Sequence, residues 1–112
     1  MTKLADLDAQ FVSYRPAQPE CGLPQALEIV NAGCTADGIL FLCPKCHAEN
    51  GGPVGTHSVL CWFVGRVADD VEPGPGRWTP SGTGISDLSL TPSVHLLAGC
   101  GWHGFVGNGD AT

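Results

Sequence analysis

The sequence predicts an α+β fold that is mostly β, a small antiparallel sheet with a short N-terminal helix, in a single domain over residues 1–112. Three observations carry that expectation. The 16 glycines and 9 prolines break the chain often and leave little room for long helices. The apolar residues fall into short runs such as "ILFLC" and "VLCWFV", rich in β-branched and aromatic side chains. The third is "LCPKCHAENGG", where Cys43 and Cys46 bracket a Pro-Lys pair at the end of an apolar run, the strand-to-turn entry of a zinc knuckle.

Taken in order, Leu4, Leu7, Phe11 and Tyr14 recur at helical spacing, so residues 3–14 are expected to form a short helix capped by Thr2 and ended by Pro16. "QALEIV" (25–30) reads as a strand, and 39–42 as a second strand feeding the knuckle. "HSVLCWFVGRV" gives the strongest strand signal in the chain. The acidic, Pro/Gly-rich stretch that follows, about 69–84, reads as a long surface loop anchored by Trp78. Period two returns in "ISDLSLTPSVHLLAGC": Leu88, Leu90, Val94 and Leu96 fall on one face, with Ser89, Thr91, Ser93 and His95 on the other. Pro92 makes the middle of that segment an edge strand or a bulge, and Asn108-Gly109 is a hairpin turn signal.

Charge narrows the function classes. The net charge of -6, with only 5 Lys and Arg, works against a nucleic-acid partner, which needs cations to displace phosphate counterions. The apolar runs are far shorter than the ~20 residues of a membrane helix. The N-terminus "MTKLADLDAQ" lacks the apolar core of a signal peptide, so the expected location is the cytoplasm. There a reducing environment favours metal ligation or burial over disulfides for the 6 cysteines.

Cys43-x-x-Cys46 and Cys100-x-x-His103 together make a Cys3His set whose soft donors suit tetrahedral Zn2+. His47, directly after Cys46, is an alternative fourth ligand. His57 and Cys61 would share a side only in a helix, and the strand expected there makes them a poor pair. Cys21 and Cys34 have no partner at ligand spacing and read as core or surface thiols. Four protein ligands would close the metal's coordination sphere and make it structural; no HExxH motif supplies a general base, although Glu49 follows the knuckle closely. Ser93 and His95, on one polar face, are the candidate catalytic pair, with His103 as another base in reach.

Three segments, "FLCPKCHAEN", "LTPSV" and "CGWHGFVGNG", resemble a family of small bacterial and phage-encoded zinc-binding proteins often labelled "ammonia monooxygenase". The resemblance covers about residues 38–110. It implies a zinc-binding β-rich domain, supports Cys43, Cys46, Cys100 and His103 as ligands, and singles out Pro92-Ser93. The label itself does not fit, since the chain lacks both a membrane span and a copper-type histidine cluster. Asn50 stands where many relatives place a histidine, which leaves the fourth ligand open; Gly101-Trp102 separates Cys100 from His103 where many relatives have Cys and His adjacent, and both departures weaken the transfer of catalytic roles. Relatives in operons similar to ubiquitin-conjugation systems imply a processing peptidase, which would make Ser93 a nucleophile. Two function classes are therefore expected. One is a zinc-stabilised accessory protein with an unidentified protein partner, meeting it through the acidic loop (Asp69, Asp70, Glu72) and Trp78. The alternative is a small serine-type hydrolase or peptidase using Ser93 and a nearby histidine.

Overall fold

The computed structural model describes residues 2–31, 35–73, 76–96 and 99–112. With 39% strand against 17% helix, the fold is α+β and mostly β. Its centre is a four-stranded antiparallel sheet of β2 (Gln10–Arg15), β3 (Ala26–Val30), β4 (Gly38–Leu42) and β5 (Ser58–Trp62), after a short first strand β1 (Thr2–Lys3). The spatial order is β3-β2-β4-β5.

Register explains why these strands are apolar almost throughout. Phe11 pairs with Val30 and Ile39, Ile39 with Cys61, and Phe41 with Val59, so all six point to one face and into the main core. The opposite face carries Val12, Tyr14, Leu40, Leu60 and Trp62, which gather Val67 and Val71 of the following loop into a second, smaller cluster. Where both faces are covered, as along β2, β4 and β5, a strand has no reason to alternate apolar with polar residues. Gly38 is what lets Trp62 lie across its neighbour: a Cβ there would stand 2.7 Å from the Cys61 carbonyl and 2.8 Å from the indole ring.

The N-terminal helix expected over 3–14 is replaced by a single 3-10 turn at Leu4–Leu7 and then β2. Asp8, in the left-handed conformation at φ 52, ends the turn. Leu4, Leu7 and Phe11 are buried together as their spacing suggested, but Tyr14 faces the other way, because from residue 10 onward the period is two. The one α-helix among the described residues is α1 (Pro44–Asn50), formed by the knuckle itself; Pro44 starts it and Gly51 ends it at φ 68.

The C-terminal third covers the inner face of the sheet with short strands: β6 (Thr79–Ser81), β7 (Ser89–Thr91), β8 (Val94–His95), β9 (His103–Gly104), β10 (Val106–Gly107) and β11 (Asp110–Ala111). β6 pairs with β7, β8 with β9, and β11 lies between β1 and β10. Leu88, Leu90 and Val94 are buried, and Leu96 packs against the same core, as period two requires. Pro92 interrupts the segment between β7 and β8. Asn108 and Gly109, at φ 50 and 82, make the two-residue turn joining β10 to β11. Trp78 anchors the long loop: its indole donates to the Ser93 carbonyl at 3.3 Å, and its backbone amide donates to Trp62. No helix among the described residues is long and apolar enough to cross a membrane.

Candidate metal centre

Two strand ends and one turn build the site. β4 and β5 pair from Gly38↔Trp62 to Leu42↔Ser58, and the next rung is Cys43 with His57, whose carbonyl accepts the Cys43 amide at 2.9 Å. Cys43 then caps α1, whose first turn brings Cys46 round to the same side; the His47 amide donates to the Cys43 carbonyl at 2.9 Å. Cys100 arrives from the far end of the chain. It is flanked by Gly99 and Gly101 at φ 70 and 69, conformations that side chains with a Cβ rarely adopt. Lys45 fixes this turn by donating from Nζ to the Cys100 carbonyl at 2.8 Å.

The result is a Cys3His group, Cys43, Cys46, His57 and Cys100, whose ligand atoms all lie within 4.8 Å of one another. Cys43 Sγ is 3.6 Å from Cys100 Sγ, and His57 Nε2 is 3.3 Å from the same sulfur. A disulfide would need about 2.05 Å. Tetrahedral zinc with Zn–S near 2.3 Å and Zn–N near 2.05 Å sets its ligand atoms roughly 3.6–3.8 Å apart. Donor type and spacing both fit that ion, and the four protein donors would fill its coordination sphere.

Electrostatics inside the cluster also call for a cation. The hydrogen bond from His57, helped by the Trp102 backbone amide, lowers the Cys100 thiol to about 6. Burial and the neighbouring Cys100 and Cys43 thiols push Cys46 up to about 12. Crowded thiols cannot all ionise without a positive partner, and a dication at their centre removes that conflict.

The fourth donor corrects the sequence expectation: His57 joins the three thiols, and His103 does not. His103 sits on β9 directly opposite His95 on β8, and their rings stack 4.5 Å apart at 24°. Its Nε2 is 3.1 Å from Ser93 Oγ. The alternative ligand His47, half-buried on α1, is also outside the group. His57 and Cys61, four residues apart with Cys61 inside β5, are indeed no pair; the partner of His57 lies across the hairpin. The usable signal is that "ILFLC" and "HSVLC" are both strand-like, so an antiparallel hairpin between them puts the last residue of the first, Cys43, opposite the first residue of the second, His57.

The remaining candidates separate cleanly. Ser93 does reach an imidazole, but it is that of His103, while His95 provides the stacked neighbour. Glu49 is exposed on α1. Cys61 lies in the core, where burial pushes its thiol up to about 12, and Cys21 is exposed. Cys34 lies outside the described residues. The acidic loop keeps Asp69, Asp70 and Glu72 at the surface. Comparison with family models, curated proteins and solved structures finds no match to this chain.

Proposed function

We propose that this is a cytoplasmic zinc protein in which Cys43, Cys46, His57 and Cys100 hold one structural ion, and whose role is to engage another protein. The observation that carries the reading is the closed Cys3His set at zinc spacing. Four protein donors leave no position for a substrate or an activated water, so the metal's work is to join the knuckle to the C-terminal segment. Its binding supplies folding free energy to a chain whose loops limit its core. A reducing compartment keeps such thiols available. The resemblance of "FLCPKCHAEN", "LTPSV" and "CGWHGFVGNG" is the ground for placing it among phage- and prophage-encoded proteins of this kind.

The test is elemental analysis of protein purified without added metal, alongside a chelator titration followed by circular dichroism. One zinc per chain, with loss of fold on chelation and recovery on adding zinc back, is the expected result. A metal-free chain with an unchanged melting curve would overturn the proposal.

A second reading is favoured by one contact, the 3.1 Å approach of Ser93 Oγ to His103 Nε2. Because His103 is outside the metal cluster, its ring is free to act as a base. In that reading Ser93 Oγ attacks an acyl carbon as its proton passes to His103. The leaving group departs with that proton, and water then hydrolyses the acyl-serine. A burst of p-nitrophenol from p-nitrophenyl acetate, with the acetyl group on Ser93 and no burst in Ser93→Ala, is the outcome that supports it. Equal turnover by the two proteins would refute it.

A further inference from the structure

The outer face of the sheet is only half covered. Cross-strand pairing puts Leu27 beside Tyr14 and Ile29 beside Val12, on the face where Val67 and Val71 pack over Trp62. That cover stops short of β3. Ile29 is 66% exposed and Leu27 43%, and among the described strands β3 pairs with β2 alone. Between β3 and the loop lies a cavity of about 190 Å³ whose apolar wall is Tyr14, Leu27, Leu60 and Trp62, with Gln25 and Glu72 at its rim.

The opposite bank is the loop that carries Glu72, and it is held in place. Arg77 turns its guanidinium inward and donates to the carbonyls of Val67, Ala68, Val71, Pro73 and Gly76. The Trp62 indole donates to the Glu72 carbonyl at 3.0 Å, tying the loop to the sheet. One cation is thus spent on backbone, while Asp69, Asp70 and Glu72 remain exposed. At the β3 end, Arg15 is paired with Glu28 at 3.6 Å. An apolar trough therefore runs between a sheet edge and an anchored loop that sets Glu72 at its rim and carries exposed Asp69 and Asp70 just before it in sequence, on a chain of net charge -6.

We infer that this trough docks an extended, cationic segment of a partner protein, with alternate apolar side chains over Leu27, Ile29 and Leu60 and lysines or arginines facing Asp69, Asp70 and Glu72. Period-two spacing in the segment matches a sheet edge, and the charge sign excludes an acidic partner. A second copy of this chain fits poorly, because it would bring the same acidic loop against itself. The inference rests on the interaction role proposed above and names the chemistry of the partner.

The probe is a fluorescein-labelled synthetic peptide of alternating leucine and lysine, compared with its leucine-glutamate counterpart by fluorescence anisotropy. The basic peptide is expected to bind and the acidic one to fail. Leu27→Ser with Ile29→Ser should weaken binding by about tenfold or more, from the apolar area withdrawn. Asp69→Asn, Asp70→Asn and Glu72→Gln together should weaken it and flatten its salt dependence. Val54→Ser, removing a side chain that is 87% exposed elsewhere, should leave affinity unchanged. Equal binding of the two peptides, or full affinity in the Leu27/Ile29 variant, would overturn the inference. Zinc content measured on the same samples separates the two proposals. A zinc-loaded chain that ignores the basic peptide sinks the trough alone, and a zinc-free chain that binds it there sinks the metal reading alone.

Discussion

Cys100→Ala is the most informative single change, because Cys100 is the one donor contributed by the C-terminal segment. A metal held by Cys43 and Cys100 closes a loop of 57 residues. Treated as a cross-link on the unfolded chain, a closure of that length is worth about 4 kcal/mol. Small domains are stable by only about 5–15 kcal/mol in total, so the staple is a large share of the whole. With an unfolding entropy of about 2.1 cal/mol/K per residue, the 112-residue chain should lose about 17 °C in Tm. The loss should appear even where Cys43, Cys46 and His57 retain some metal, because the long loop is open either way. The assay is thermal unfolding by circular dichroism on samples of known zinc content, with His57→Ala and His103→Ala beside it. His57→Ala should lower metal affinity and Tm together, while His103→Ala keeps stoichiometric zinc and a Tm close to wild type. A Cys100→Ala protein that melts with the wild type, or zinc lost on removing His103 and kept on removing His57, would refute the reasoning.

Arg77→Ala strands five backbone carbonyls that now share one guanidinium; it should cost about 1–3 kcal/mol and open residues 67–76 to limited proteolysis. Gly109→Ala should destabilise by about 1–3 kcal/mol in urea unfolding, because the turn needs φ 82 and a Cβ there would collide with the Ser86 carbonyl. Asp87 accepts hydrogen bonds from the Thr83 and Gly84 backbone amides and the Thr83 hydroxyl, which hold its carboxyl below the ordinary 3.8. A depressed folded value contributes stability that is present above the unfolded value and lost as pH falls through the folded one. Asp87→Asn should therefore lower the urea midpoint at neutral pH, with the gap to wild type closing below 3.8; a gap that persists unchanged into acid would contradict this.

Local pattern was enough for β3, β4 and β5, whose β-branched and aromatic runs are short and bounded by Gly, Pro and Asn. It was enough for the Asn108-Gly109 turn, where two positive φ angles demand those residue types. It also groups Cys43 and Cys46 with Cys100, because thiols at ligand spacing suit a soft metal ion. Residues 3–14 read as a helix because Leu4, Leu7 and Phe11 satisfy a helical period through a turn followed by a strand, and only the pairing of β2 between β3 and β4 tells the two apart. The fourth donor needed the same kind of information. Cys100 and His103 are near in sequence, but β9 turns His103 toward Ser93 and His95, while the β4–β5 register carries His57 to Cys43 across a hairpin. Residue types and their spacing thus determined the donor chemistry of the candidate centre, and hydrogen-bonded register between strands decided which histidine stands beside its thiols, because a ladder sets neighbours by pairing and not by distance along the chain.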